Sequence, residues 1–134
     1  MAPLEYAKLL LRKASQDEFV LAKLLQEPAT PDEIIGFHGQ QAVEKMLKAV
    51  LAAGRIPYRR THDLVELIDL LRDAGLPFPE ELDEVRRLTP FAVEFRYDDL
   101  PEETGEKPLD RAWIATAVGS VREWAEGIIR QRTS

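Results

Sequence analysis

The spacing of the apolar residues is the feature of this chain that most constrains its fold. Over most of the chain these residues recur at steps of three and four, the period of one face of an α-helix. The set Leu64, Leu67, Ile68 and Leu71 is a short example. No run alternates convincingly with the period of two that marks a half-buried β-strand, and no internal repeat is evident. The pattern predicts an all-α fold, an up-and-down antiparallel bundle of four to five helices.

Proline, glycine and capping residues mark the ends of the first two predicted helices. The first helix ends at Pro28. Thr30 can cap the second helix, with Pro31 in its first turn and Glu33 at the capping-box position. Gly54 is the predicted end of this second helix.

Three further helices are predicted after the second. Thr61 can cap the third helix, which Gly75 and Pro77 end. A fourth begins near Pro79 and is kinked or broken by Pro90. Residues 97–108 are polar and acidic and read as a loop. The last helix has an apolar face made of Trp113, Ala117, Val121, Trp124 and Ile128.

Length and composition indicate one domain, residues 1–134, since 45% hydrophobic content is ample for a single core. A formal charge of −6 argues against a protein that coats nucleic acid by bulk electrostatics, although a local basic site remains possible. The absence of cysteine excludes disulfides and thiolate metal sites. No stretch is long enough to span a bilayer, and the N-terminus lacks a signal-peptide apolar core, so we expect a cytoplasmic protein without a membrane partner.

Four polar side chains fall within one narrow arc of the predicted second helix, at the border of its apolar face. We refer to them as the polar stripe: His38, Gln41, Lys45 and Lys48. Hydrogen bonds and charges to a bound anion count for more at such a partly desolvated border than in water. The stripe therefore predicts a phosphate or nucleotide site. The alternative is that its lysines are ordinary solvated side chains and that the other two residues hydrogen-bond a neighbouring helix.

A second basic cluster lies between the second and third predicted helices, where the sequence reads GRIPYRRTHDL. We refer to its charged or titratable members as the basic loop: Arg55, Arg59, Arg60 and His62. Arginine forks and a helix N-terminus can hold phosphate, and a histidine can act as acid or base. The alternative is that Asp63 stabilises the helix start, the histidine packs under the loop, and the arginines are solvated or paired with acidic residues.

Other site chemistries have weaker support. The two histidines are far apart and form no His-x-x-x-His pair, which disfavours a dedicated metal site. The acidic residues of the loop 97–108 could hold a divalent ion, but such loops are usually just solvated. There is no glycine-rich phosphate loop and no nucleophile motif, and we expect neither a metal nor a cofactor.

Three motifs in order resemble those of the HEPN family (higher eukaryotes and prokaryotes nucleotide-binding domain), over nearly the whole chain. Residues 37–49, FHGQQAVEKMLKA, resemble the family pattern aromatic-His-x-x-Gln-x-x-Glu-Lys-x-x-Lys-Ala on its second helix. Residues 61–64, THDL, and the pair Arg96-Tyr97 resemble two further family elements. The resemblance implies a bundle like that of nucleotidyltransferase substrate-binding subunits. Such proteins commonly form homodimers and are often encoded beside a minimal nucleotidyltransferase as a toxin–antitoxin pair.

The resemblance also bears on catalysis. Many HEPN proteins are metal-independent RNases with an arginine followed several residues later by a histidine, usually near the last helices. Here Arg96 is most like that arginine, but no histidine follows it, and only Arg55 and His62 show a comparable spacing. Family members without the motif are thought to bind nucleotides or RNA without cutting them.

Three functional hypotheses follow. The first is a protein that binds a nucleotide or RNA through the polar stripe and the basic loop and acts with a minimal nucleotidyltransferase. The second is a metal-independent RNase in which His62 is the acid or base and Arg55, Arg59 or Arg96 stabilises the phosphate charge. The third is a non-catalytic dimerisation or assembly module in which the polar stripe fixes the register of the interface.

Overall fold

The computed structural model describes residues 1–92 and 108–133, and within these ranges every regular element is helical. The described residues form four α-helices: α1 (Pro3–Leu25), α2 (Asp32–Ala53), α3 (Leu64–Asp73) and α4 (Arg111–Thr133). A 3₁₀ segment, Glu80–Ala92, lies between α3 and α4. The predicted all-helical fold of four to five helices is confirmed. No helix in the two described ranges has the length and apolar character needed to cross a membrane.

Helix α2 lies at the centre of the fold. It packs against α1, α3, α4 and the 3₁₀ segment, and its contact with α1 is the most extensive of these. Its fully buried side chains therefore occupy more than one face: Ile35, Gln40, Ala42, Val43, Met46, Leu47, Ala49, Val50 and Leu51. Because neighbours surround α2, its polar side chains must find partners inside the protein.

Two glycines of α2 allow neighbouring elements to approach closely. A Cβ atom on Gly39 would lie 2.5 Å from Cδ1 of Ile114 on α4. A Cβ atom on Gly36 would overlap the ring of Phe91 in the 3₁₀ segment. The absence of a side chain at both positions lets α4 and the 3₁₀ segment pack close to the α2 backbone, although at Gly39 the first atom that a Cβ would meet is the end of the flexible Ile114 side chain.

The predicted start of α2 is wrong in its detail. Thr30 does not cap the helix, because its Oγ1 donates a hydrogen bond to the carbonyl oxygen of Leu24 at 2.9 Å. Helix α2 begins at Asp32, with Pro31 at the cap position and no side-chain cap, so the capping box with Glu33 does not form. The predicted end at Gly54 is confirmed.

The predicted cap of α3 is also wrong by two residues. Asp63 caps the helix, and its Oδ1 accepts a hydrogen bond from the backbone nitrogen of Val65 at 2.9 Å. Thr61 instead accepts a hydrogen bond from the backbone nitrogen of Asp63, at 3.1 Å. The alternative in which Asp63 stabilises the helix start is therefore confirmed. The predicted end is confirmed as well, since α3 stops just before Gly75, whose φ is +79°.

The two later elements pack on α2 much as their apolar patterns predict. The fourth element is helical, but it is a 3₁₀ segment containing Pro90, with Val85 and Leu88 buried. On α4 the buried residues are Ile114, Ala117, Val118, Val121, Ala125 and Ile129. The predicted tryptophans lie at the edge of this face, and Trp124 packs edge-on against Phe78 with 5.1 Å between ring centres. Arg96 and most of the predicted loop 97–108 lie outside the described residues.

Candidate functional site

A buried carboxylate on α2 joins the polar stripe to the basic loop. Glu44 is only 5% exposed. Its Oε2 accepts a hydrogen bond from Nζ of Lys48 at 2.9 Å, and its Oε1 lies 2.9 Å from Nδ1 of His62. The same Oε1 accepts a hydrogen bond from Nε2 of Gln40, also at 2.9 Å. The structure thus brings Lys48 and His62 together, although 14 positions of sequence separate them.

The Glu44 carboxylate is ionised at neutral pH. Burial by itself raises its pKa, but hydrogen bonds from Lys48, Gln40 and His62, together with the Lys48 charge, outweigh burial and leave the pKa below its usual value. An ionised carboxylate can only accept hydrogen bonds. The ring of His62 must therefore carry its proton on Nδ1 when it is neutral, which leaves Nε2 unprotonated. The His62 side chain is 64% exposed, so the site is open to solvent.

The backbone of the basic loop is also held against α2. The backbone nitrogen of Ile56 donates to the carbonyl oxygen of Leu51 at 2.9 Å, and the carbonyl oxygen of His62 accepts from Nε2 of Gln40 at 3.1 Å. The chain therefore leaves the end of α2 and returns along it toward its middle. Gln41 of the polar stripe donates to Oε1 of Gln40 at 2.7 Å, which links it to the same network.

A second carboxylate, Asp17 on α1, pairs with Lys45 of the polar stripe and lies near His38. Nζ of Lys45 is paired with Oδ2 of Asp17, and Nδ1 of His38 lies 3.5 Å from Oδ1. The side chains of Lys45 and Lys48 are 27% and 14% exposed. Each stripe lysine is therefore a partly buried member of an ion pair, and neither is an ordinary solvated lysine.

The three arginines of the basic loop have different environments. Arg59 binds Glu66 of α3 through both Nε and Nη2, with the shortest contact at 2.7 Å. Arg55 is exposed and has a left-handed backbone with φ of 57°. Arg60 is exposed. Within the described part of the chain, Arg55 and Arg60 have no ion-pair partner, and His62 is exposed while its Nδ1 contacts Glu44.

A pair of tyrosines borders the same network. Nζ of Lys48 lies 5.8 Å from the ring centre of Tyr58. Burial of the Tyr58 hydroxyl, the neighbouring Tyr6 hydroxyl of α1 and the Glu44 charge raise the pKa of Tyr58 to about 12. The loop, α1 and α2 thus meet at one polar border, at which Tyr6 is 41% exposed.

Sequence reasoning missed the two carboxylates and the two tyrosines. Glu44 had a local signal, because Gln40, Glu44 and Lys48 are spaced at steps of four and so share one side of a helix. Asp17 had no such signal, because its contact with Lys45 depends on how α1 and α2 pack. Within residues 1–92 and 108–133, no group of three or more histidine and acidic side chains is arranged to hold a metal ion.

Comparison with known proteins identifies the family. The family model for the HEPN domain matches residues 7–128. The chain belongs to the HEPN domain family. This HEPN domain is also similar to a protein of Methanocaldococcus jannaschii named putative toxin MJ1304, with 42% identity over 57 residues. That match covers 42% of this chain and 36% of the relative, so the two share about a third of the relative's length. No solved structure gives a significant match.

Proposed function

We propose that this HEPN domain is a toxin-type protein that binds RNA or a nucleotide at the border formed by the polar stripe and the basic loop. The observation that carries the proposal is the Glu44 junction, where an exposed histidine of the loop and a stripe lysine share one buried carboxylate. The similarity to a protein named as a toxin supports the toxin-type role. The packing of every other described element on α2 supports one HEPN domain over residues 1–134.

The exposed cations supply the attraction to phosphate. Arg60 and Arg55 are exposed on an acidic protein of net charge −6, and arginine forks suit phosphate oxygens. Affinity for a single-stranded nucleic acid falls with salt in proportion to the number of phosphates that the protein neutralises. A local cluster of this size predicts weak binding with a shallow salt dependence.

The test is to titrate a short RNA, ATP and GTP against the protein at several salt concentrations. Arg60→Ala should weaken RNA binding and reduce the slope of log affinity against log salt by about 0.7, the value for one phosphate contact on a single strand. Lys23→Ala is the matched control, because it removes one exposed charge in the last turn of α1, outside the basic loop. The absence of salt-dependent binding to all three ligands would remove the basis of the proposal.

The contact between Glu44 and His62 also favours the second hypothesis, a metal-independent RNase. A carboxylate that holds Nδ1 leaves Nε2 free to accept a proton from a ribose hydroxyl, the orientation that a general base requires. RNA incubated with the protein and a chelator should then be cut, and His62→Ala should abolish cutting. Unchanged cutting by the variant would point to a contaminating nuclease. Arg55, Arg59 or Arg96 would stabilise the phosphate charge in this hypothesis.

The family resemblance further leads us to propose a homodimer that works with a minimal nucleotidyltransferase. On α1, Phe19 is 65% exposed and Val20 is 36% exposed, which leaves apolar surface available to an interface. Light scattering with and without the product of the neighbouring gene tests both partners. A monomer at every concentration that is indifferent to that product would contradict this part of the proposal.

A further inference from the structure

The charged residues of α1 are sorted by sign between its two sides. Asp17 and Glu18 face the rest of the protein, where Asp17 pairs with Lys45 of α2 and Glu18 with Arg122 of α4. The basic residues of α1 are all exposed and form no ion pair within the described ranges: Lys8, Arg12, Lys13 and Lys23. The exposed side of α1 otherwise carries only the acidic Glu5, in the first turn. Packing has therefore placed a positive surface on one helix of a protein whose net charge is −6.

Three of these cations lie in one line with an exposed aromatic ring. At about 100° per residue, the four side chains fall within an arc of about 60° on α1. We refer to them as the α1 ridge: Lys8, Arg12, Phe19 and Lys23. Phe19 is 65% exposed, and Nζ of Lys23 lies 5.5 Å from its ring centre. At the 1.5 Å rise of an α-helix the ridge is about 22 Å long, with cations on both sides of the ring.

The composition of the α1 ridge is that of an interaction surface. Aromatic side chains and arginine supply much of the binding energy at protein interfaces. A contact that covered Phe19 would remove its apolar area from water. The cations around the ring would attract acidic groups and repel basic ones. The ridge thus fits a partner that has an apolar site bordered by carboxylates.

A second copy of this chain and a nucleic acid both fit the α1 ridge less well. A twofold contact between two α1 helices would set the same surface against itself, so the cationic ends of the two ridges would face each other and repel. Single-stranded nucleic acid binds in grooves that follow its backbone, whereas the ridge is convex. A strand longer than the ridge would also meet the acidic remainder of the protein.

We propose that the α1 ridge docks an acidic segment of a partner protein, with Phe19 in the apolar site of that partner and the ridge cations opposite its carboxylates. The inference rests on the part of the proposed function that gives this domain a protein partner. It deepens that part by naming the docking surface and the charge of the partner. The ridge then takes no part in binding RNA, which the proposed function assigns to the polar stripe and the basic loop.

The probe is a synthetic helical peptide that carries a stripe of leucines bordered by glutamates. A second peptide with glutamine in place of each glutamate is its control. The full chain should bind the acidic peptide with an affinity that falls as salt rises. It should bind the glutamine peptide about 10-fold more weakly, the effect of a few exposed ion pairs.

Three variants test whether the peptide lies on the α1 ridge. Phe19→Ala and Arg12→Glu should each weaken binding of the acidic peptide by roughly 10-fold or more. Lys13→Glu is the matched control for Arg12→Glu, because it makes the same change in charge about 100° around the helix. It should weaken binding by less than about 3-fold. All three side chains are exposed, so the thermal unfolding midpoints of the variants should stay close to that of wild type.

The absence of binding to the acidic peptide would overturn the inference, as would a loss in Lys13→Glu equal to that in Arg12→Glu. Light scattering and RNA titration of Arg12→Glu identify the other occupants. Dissociation of a dimer would assign the ridge to a second copy, and a loss of RNA affinity would assign it to nucleic acid. Either result would overturn the inference.

The proposed function is tested separately from the α1 ridge. RNA binding by wild type that is weakened in Arg60→Ala supports it whatever the peptide does. A complex with the product of the neighbouring gene that Phe19→Ala and Arg12→Glu leave intact would keep that partner and overturn the inference. Binding of the acidic peptide at the ridge without any complex with that product would keep the inference and remove that partner.

Discussion

His62 and Lys48 share one buried carboxylate, with Nδ1 of His62 on one oxygen of Glu44 and Nζ of Lys48 on the other, each at 2.9 Å. A loop residue and a helix residue are therefore held by the same charge. The contact ties the basic loop to the middle of α2 through the Glu44 side chain.

Removing Lys48 should destabilise the protein more than removing Lys45. Lys48→Ala would leave the Glu44 charge buried with less compensation, a change that costs about 3 kcal/mol at buried pairs. The pair of Lys45 with Asp17 is more exposed, so Lys45→Ala should cost about 1 kcal/mol or less. Urea unfolding of both variants measures the difference. Equal losses of unfolding free energy would show that solvent screens the pair of Lys48 with Glu44 as strongly as it screens an exposed ion pair.

The variants Glu44→Gln and Glu18→Gln should change in stability relative to wild type in opposite directions as pH rises. The pKa of Glu44 is lowered in the folded protein, so its contribution to stability is present above the ordinary value of 4.5 and is lost as pH falls through the folded value. Relative to wild type, Glu44→Gln should therefore lose stability as pH rises through the acid range. Unfolding free energies between about pH 2 and pH 7 measure this trend.

Glu18 provides the contrasting case. Burial raises the pKa of Glu18 and outweighs the opposing effect of Arg122, whose Nη1 lies 2.8 Å away. Its contribution to stability is present below 4.5 and is lost as pH rises through the raised folded value. Glu18→Gln should therefore gain stability relative to wild type as pH rises. A trend of the same sign in both variants would contradict the different environments of the two carboxyls.

The buried hydroxyl of Tyr58 should make the fold sensitive to alkali. Its pKa is raised from 10.0 to about 12, so its contribution to stability is present below pH 10 and is lost as pH rises to about 12. The phenolate absorbance of wild type minus that of Tyr58→Phe should show a group that ionises near pH 12. A difference spectrum that develops near pH 10 would mean that the hydroxyl is hydrated.

Gly39 should not tolerate a side chain. The Cβ of Gly39→Ala would lie 2.5 Å from Cδ1 of Ile114, and overpacking of this kind costs about 1–3 kcal/mol, partly offset by the better helix propensity of alanine. Adding Ile114→Val removes the clashing methyl and should restore part of the loss. Thermal unfolding checks both variants.

Gly119 on α4 is the matched control for this substitution. A Cβ atom there would meet no neighbour within 4 Å, so Gly119→Ala should stabilise the protein by about 0.5–1 kcal/mol. If Gly39→Ala were equally stabilising, the close packing of α4 on α2 would be wrong.

The helices could be predicted from the sequence because burying one face of a helix requires apolar residues at steps of three and four, and this spacing is visible within a short stretch of sequence. Prolines and glycines marked most ends for the same local reason, as Gly54 does for α2. The caps at Thr30 and Thr61 were predicted wrongly because several nearby groups compete for a hydroxyl. The hydroxyl of Thr30 donates a hydrogen bond to the carbonyl oxygen of Leu24 instead of capping α2. The carbonyl oxygen of Thr30 itself accepts a hydrogen bond from Arg111 of α4, a partner that is distant in sequence.

The sequence by itself determined the helical elements, the family motifs and the polar character of the stripe and the loop, because each of these depends on residues that are close together in the sequence. Only the tertiary structure decided which partners those polar side chains have. Lys45 meets Asp17 through the packing of α1 on α2, and His62 meets Glu44 because the loop returns along α2. Contacts between such distant positions depend on helix register and on the path of a loop, and neither is encoded by the spacing of residues within one helix.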